Sequence, residues 1–232
     1  MVKSKKFWND EYKNPEHLTM SDEPSSDLIT FVRWAEKNAE WPPFPKDGLM
    51  LDIGCGNGRN IVAMVKESGM RGVGFDISNE AIHQAQKMAG KLPISFTVQG
   101  AEEKLPADDE SVDVVLDMMS SHFLNEKERE ELVKELVRVM KPYGWLFFKT
   151  FVLEGDKNAE RLLKDAPSGE KNSYIHPKIK VQEHVWTEDE IYEVFSPYFK
   201  IYKMIKSHKH IKDGQPNKRR TVSVYMEKKR VS

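Results

Sequence analysis

Cysteine is almost missing: Cys55 stands alone among 232 residues. No disulfide can form within the chain and no cysteine-based zinc cage can be assembled, so no metal site is expected. Long apolar runs are missing too. Nothing approaches the roughly 18–20 residues that cross a bilayer, and the start MVKSKKFWNDEYK lacks the apolar stretch of a signal peptide. Net charge is small, −1 from 36 Lys+Arg and 37 Asp+Glu, and there is no internal repeat or low-complexity tract. The expectation is a cytoplasmic protein of a reducing compartment with no membrane partner and no obligate protein partner. What is present is bulk for a core. Five Trp, eleven Phe and seven Tyr lie in a chain that is 39% hydrophobic, long enough to bury a substantial interior.

Charge is unevenly spread. Lys200 to Ser232 hold eleven Lys/Arg against two Asp/Glu, a balance of +9, and the rest of the chain stands at −10. Such asymmetry marks either a nucleic-acid footprint or a solvated terminal hairpin. The hairpin is favoured, because the basic residues alternate with Ile201, Tyr202, Met204 and Ile205. Lys218, Arg219 and Arg220 form a dense cluster, beside Gly214 to Asn217, which read as a turn.

Along the chain, residues 4–14 predict a short aromatic helix, and Ser25 or Ser26 opens a helix to about Asn38 with an apolar face. Trp41 to Pro45 breaks it. Strands are expected at Leu49–Ile53, Val73–Asp76, Ile94–Val98, Val112–Leu116 and Trp145–Phe151. Helices between them run from Gly58 to about Ser68, from Ser78 to about Gly90 and from Asn125 to Met140. Asn125 with Glu128, and Thr187 with Glu190, match capping boxes. Pro142 to Gly144 read as a turn before the fifth strand, and residues 154–186 as an insertion without regular period. Two strands, about Phe199–Ser207 and Thr221–Glu227, close the chain as a hairpin. Strands alternating with helices, and apolar on both faces, predict a parallel sheet covered on both sides.

The first strand leads into Gly54, Cys55, Gly56, Asn57 and Gly58. Ligands in open α/β sheets bind outside the carboxyl ends of the strands, and alternate glycines let a ligand press on bare backbone. Arg59 breaks the G-x-G-x-x-G dinucleotide fingerprint, and no G-K-[ST] follows. Asp52, just before the loop, would repel a pyrophosphate but favours an ammonium or sulfonium centre. Asp76, 18 residues past Gly58, ends the second strand and can accept both hydroxyls of a ribose. The combination points to S-adenosylmethionine.

Four segments carry a resemblance: Leu51 to Arg59, Gly74 to Ser78, Leu105-Pro106 ahead of Ser111 to Leu116, and Leu136 to Gly144. Together they resemble the class I S-adenosylmethionine-dependent methyltransferases, within them the type 11 group. The resemblance implies a Rossmann-like seven-stranded, mostly parallel sheet with helices on both faces and the last strand inserted antiparallel. Residues 1–46 then form an N-terminal helical flap and 47–232 the cofactor-binding domain, with 154–186 as a lid over the substrate. It further implies that Asp52 and the Gly54–Gly58 backbone (Gly54, Cys55, Gly56, Asn57, Gly58) face the methionine part of the cofactor. Asp76 would take the ribose and Ile77 the adenine face. Ala101 and Glu102 would meet the adenine edge, where the family often has an Asp at the position of Gly100. Asp117 and Met118 would lie near the reactive methyl.

Methyl transfer is an in-line displacement that needs alignment and exclusion of water, with a general base only when the acceptor arrives protonated. His122 is the expected base. Trp8, Tyr12, Tyr174 and His176, with Glu183 and His184 nearby, are the expected substrate contacts. The segment Asp117 to Ser120 lacks the Asn/Asp-Pro-Pro-Tyr/Phe of amino methylation on DNA bases. A small-molecule acceptor is the leading reading. RNA held by the basic hairpin, a non-catalytic cofactor-binding partner subunit, and aminopropyl transfer stand as alternatives.

Overall fold

The computed structural model describes residues 2–17, 20–208, 211–212, 215–216 and 218–230. Two helices, α1 (Val2–Lys13) and α2 (Ser26–Asn38), precede the alternating part. That part runs β1 (Leu49–Ile53), α3 (Arg59–Ser68), β2 (Arg71–Asp76), α4 (Asn79–Ala89), β3 (Ile94–Val98) and β4 (Val112–Met118). A 3-10 turn at Ser121–Phe123 leads to α5 (Glu126–Val139) and β5 (Met140–Phe151). The insertion contains α6 (Lys157–Asp165), β6 (Ser173–Ile175) and β7 (Gln182–His184). Then come α7 (Glu188–Phe195), β8 (Phe199–Lys206), the two-residue strands β9 (Ile211–Lys212) and β10 (Gln215–Pro216), and β11 (Thr221–Lys228).

Seven strands form one sheet in the order β3-β2-β1-β4-β5-β11-β8. The pairs among β1 to β5 are parallel, and β11 runs antiparallel to both β5 and β8. This is the Rossmann-like architecture with an inserted antiparallel last strand. Side chains alternate across a strand, and here both faces are apolar. Met50, Val114, Leu116, Trp145, Phe147 and Tyr225 pack on one face with Leu28 and Phe31 of α2 and Ile61 and Met64 of α3. Leu51, Ile53, Val115, Leu146, Phe148 and Val224 pack on the other with Leu132 and Leu136 of α5 and Ile191 and Phe195 of α7. Phe31 stacks on Phe147, ring centroids 4.9 Å apart and nearly parallel. Lys149 of β5 donates to Asp27 at the start of α2 (2.5 Å).

Both capping boxes form as the sequence predicts, at Asn125 with Glu128 and at Thr187 with Glu190. Ser78 caps α4 by accepting from the Ala81 N–H. Two expectations differ. Pro142 to Gly144 do not turn the chain, because β5 starts at Met140 directly after α5. They form a bulge instead: pairing with β4 jumps from Val112–Met140 to Val114–Trp145, and Tyr143 takes φ +66°. Lys228 of β11 donates to the carbonyls of Val137 and Met140 at 2.7 and 2.6 Å, so the end of α5 is capped from a distant strand. The insertion is also more regular than expected. Asp156 caps α6 by accepting from the N–H groups of Asn158 and Ala159, and β6 pairs antiparallel with β7. In the predicted Gly214–Asn217 turn, Gly214 and Asn217 lie outside the described residues; Gln215 and Pro216 form β10.

No helix of the described residues is long and apolar enough to cross a membrane. Phe31→Ala should destabilise the protein by about 3–5 kcal/mol, since the ring is fully buried against Phe147 and Tyr225. Denaturant unfolding measures it. A loss under 1 kcal/mol would mean that α2 is not part of the core.

Candidate active site

The loop after β1 takes its shape from Gly54, Gly56 and Gly58, with φ of +63°, +57° and +82°. Side chains rarely adopt these angles, and neighbours fill the space a Cβ would need. The Ser120 hydroxyl sits in that space at Gly54, and the Tyr12 hydroxyl at Gly56. At Gly58 it is the Cβ of Ala85 on α4, 2.9 Å from the ideal Cβ position. Gly58 therefore serves helix packing, whereas Gly54 and Gly56 line a cavity of about 590 Å³.

The cavity opens at the carboxyl ends of β1, β2 and β4, where the strand order reverses. Trp8 and Tyr12 of α1 cover one side, and Lys180, Val181 and Gln182 of the β6–β7 hairpin contribute to another. Helix α1 is pinned there by polar contacts. The Asn9 side-chain oxygen accepts from the Ser78 hydroxyl (2.9 Å) and the Glu80 N–H (3.3 Å), and Gln84 donates to the Tyr12 carbonyl (2.7 Å). Trp8 meets Phe123 edge to face, centroids 5.0 Å apart.

Three carboxylates define the electrostatics. Asp76 is on the cavity wall and accepts from the N–H groups of Gly56 (3.0 Å) and Ser78 (2.8 Å). Burial still pushes its pKa up to about 6. Asp52 is 2% exposed, and one of its carboxylate oxygens has no hydrogen-bond partner among the described residues. Burial, then the negative charges of Asp76 and Asp117, raise its pKa to about 8. Asp117 accepts from the Ser121 N–H (3.2 Å), and burial lifts its pKa to about 6. None of the three forms an ion pair with a described residue. A buried acid with an orphaned oxygen, beside a glycine cradle and a ribose-height carboxylate, fits a ligand that carries positive charge on a nucleoside. S-adenosylmethionine meets each of these terms.

Of the residues expected at the cofactor, Gly54, Cys55, Gly56, Asn57, Asp76, Ile77, Ala101, Glu102 and Met118 line the cavity. Asp52, Asp117 and Gly58 are not among its lining residues. Met119 takes φ +61°, and Ser120 beyond it reaches Gly54. The Glu102 carboxylate occupies the space that a Cβ on Gly100 would need. An acidic group thus stands at Gly100 although no side chain starts there.

Of the expected substrate contacts, Trp8 and Tyr12 line the cavity. Tyr174 does not. It is fully buried, and its hydroxyl donates to Glu183 and accepts from Arg219. The His176 Nδ1 accepts from the N–H groups of Lys178 and Ile179, both at 3.3 Å, which shapes the hairpin turn. His122, the expected base, is 1% exposed and lies off the cavity wall between Phe123 and Phe151. Neither ring nitrogen has a hydrogen-bond partner among the described residues. Burial, then the charges of Arg219 and His184, lower its pKa to about 3. Sequence reasoning did not single out Ser120, Phe123, Lys180 or Gln182, which also line the cavity. Asn125 and Glu128 also line it, and in the sequence they signal only a helix start.

Fold and site together resemble those of the class I S-adenosylmethionine-dependent methyltransferases. Residues 51–148 match the type 11 family model, described as a methyltransferase domain. It is 28% identical to 27-O-demethylrifamycin SV methyltransferase of Amycolatopsis mediterranei (strain S699) over 63% of this chain and 50% of that protein. It is 27% identical to tRNA (carboxymethyluridine(34)-5-O)-methyltransferase of Arabidopsis thaliana over 56% of this chain and 31% of that protein. The chain therefore spans half or less of the length of these two relatives. A crystal structure of a SAM-dependent methyltransferase from Methanosarcina mazei has the same fold, with TM-score 0.65, 24% identity and coverage of 82% of this chain and 96% of that one.

The raised acids set a pH dependence. Their folded pKa values, about 8 for Asp52 and about 6 for Asp76 and Asp117, exceed the unfolded value of about 3.9. The stability they contribute is therefore full below about pH 4 and is lost as pH rises through 6 to 8. A bound cation reverses this. The melting-temperature gain from S-adenosylmethionine should be larger at pH 8 than at pH 5.5, and should exceed the gain from S-adenosylhomocysteine most at the higher pH. Equal gains at both pH values would contradict the cation site.

Proposed function

We propose that the chain transfers the methyl group of S-adenosylmethionine to a small-molecule acceptor in the cytoplasm. The observation that carries the reading is the cluster of three buried acids at the glycine loop, with Asp76 on the cavity wall and Asp52 behind it. When bound, the cofactor supplies a methyl group on a sulfonium centre already primed to leave. The chain's residues do the rest. Asp76 accepts from the ribose hydroxyls while the N–H groups of Gly56 and Ser78 hold its carboxylate. The backbone from Gly54 to Asn57 holds the charged methionine part, with Asp52 buried behind it. Ile77 covers the adenine, and Ala101 and Glu102 meet its edge. Met118 lies by the methyl, with Asp117 behind it. Trp8, Tyr12, Phe123 and the hairpin turn exclude water and shape the acceptor half. In this reading α1, within the 1–46 segment, is a flap, and the 154–186 insertion a lid. His122 receives no role as base, because a neutral imidazole off the cavity wall cannot reach the acceptor proton.

The acceptor is taken as small because several of the described basic C-terminal residues are engaged elsewhere. Arg219 pairs with Asp156 (2.8 Å), and Arg220 donates to the Glu154 carbonyl (3.2 Å). Lys206 pairs with Glu188 (2.5 Å), Lys228 caps α5, and Lys203 lies over Trp34. RNA is the second reading, favoured by the likeness to the tRNA enzyme.

Methyl-labelled cofactor offered with a small-metabolite extract and, separately, with total RNA tests both. Label in the metabolite fraction is expected. Label confined to RNA, with binding that weakens steeply with salt, would establish the second reading. Absence of transfer to either would leave the chain a binding subunit. Asp76→Ala should weaken cofactor binding about 10–100-fold, as loss of charge-assisted hydrogen bonds does. Unchanged affinity in calorimetry would remove the ribose assignment.

A further inference from the structure

Within the basic run Lys218 to Arg220, Arg219 faces inward and reaches the insertion. Arg219 enters just ahead of β11, and its Nε donates to Asp156 (2.8 Å). Its Nη1 donates to the Tyr174 hydroxyl and to Glu183 (3.3 Å), and the guanidinium lies 4.1 Å from the centroid of the Phe151 ring. Asp156 is itself fixed. It is 0% exposed and also accepts from the N–H groups of Asn158, Ala159 and Arg220. The guanidinium is thereby held against the end of β5 and the cap of α6, and its free edge grips the hairpin.

Tyr174 and Glu183 are directly opposite each other in the β6–β7 ladder. Glu183 follows Gln182, a cavity-lining residue, and successive strand residues point to opposite sides. One side of this strand therefore meets the acceptor half of the cavity and the other meets Arg219. Lys180 and Val181, also on the cavity wall, close the same turn through the His176 N–H to the Val181 carbonyl and the Lys180 N–H to the His176 carbonyl, both 2.9 Å. A planar fork that serves three partners from one group is a task that lysine, a point charge, cannot perform.

We infer that Arg219 is a positioning residue for the acceptor: it holds the β6–β7 hairpin over the acceptor half of the cavity and so sets how tightly the acceptor binds. This rests on reading the cavity as the site of methyl transfer. Arg219 is not a lining residue, and the hairpin it grips is a part of the wall separate in sequence from the loop that holds the cofactor. Acceptor binding should depend on it and cofactor binding should not.

Arg219→Gln and Arg219→Lys, compared with the unaltered chain, test this in three measurements. Calorimetry with S-adenosylhomocysteine should give affinities within about twofold, as for independent sites. Hydrogen exchange at Ile175, His176 and Lys180 should quicken about 10–100-fold in both variants, with the amides of β1, β4 and β5 unaffected. Label transfer to the small-metabolite extract, titrated by dilution, should need roughly 10-fold more extract for half its maximum while the maximum itself is largely kept. Unchanged exchange in the hairpin would overturn the proposal. So would faster exchange throughout the sheet together with lost S-adenosylhomocysteine affinity, which would make Arg219 a general stabiliser. An unaltered chain that binds S-adenosylhomocysteine but labels nothing would overturn the methyl-transfer reading instead, and the exchange data would still decide whether Arg219 holds the hairpin.

Discussion

Buried acids without a cationic partner among the described residues are the constraint around which this molecule is arranged. Asp52, Asp76 and Asp117 end neighbouring strands, all nearly removed from water. Burying one carboxylate is costly, and Asp52 costs more because the charges of Asp76 and Asp117 add to its burial. The N–H groups of Gly56, Ser78 and Ser121 offset part of this for Asp76 and Asp117. Asp52 keeps an orphaned oxygen. Stability alone would favour apolar residues at such positions, so the cluster is explained by what it binds.

The rest of the fold supplies the rigidity to sustain that cost. Each central strand places one set of apolar side chains on α2 and α3 and the alternate set on α5 and α7. Two well-packed faces fix where the strands end, and the strand ends fix the acids and the loop. The aromatic cluster of Phe31, Trp34, Trp145, Phe147 and Tyr225 sits on the α2 face. Within the first 46 residues, α2 therefore belongs to the packed layers, whereas α1 reaches the cavity with Trp8 and Tyr12.

Much of this was legible in the residues, because local signals agreed with the global fold. The apolar runs, the capping boxes and the glycines after β1 each have a short-range cause, and these elements form within a few residues of their expected bounds. Legibility failed where the cause lies far along the chain. Pro142 to Gly144 carry turn chemistry, yet pairing with β4 absorbs them as a bulge and Lys228 caps the helix before them. The hairpin strands β6 and β7 have three residues each, too short for a periodic signal. The site follows the same rule. The residues of the glycine loop are contiguous and could be found; Ser120, Lys180 and Gln182 reach the cavity only through tertiary folding. Tyr174 and His122 are of catalytic residue types, but burial and their neighbours decide their roles.

The same distinction applies to part of the charge asymmetry. A count of +9 over the last 33 residues describes composition, whereas a nucleic-acid footprint requires cationic groups that face solvent along one track. Arg219 is held by Asp156 and Glu183, Lys228 by two carbonyls, and Lys206 by Glu188. Their acidic partners come from the preceding part of the chain, where the excess is negative. The imbalance thus joins the two parts of the fold: the acids of the insertion and of α7 meet the bases that flank the closing strands. A cation already satisfied by a buried carboxylate and a backbone carbonyl cannot also neutralise a phosphate, so positive charge in a sequence predicts a binding surface only after its internal partners have been found.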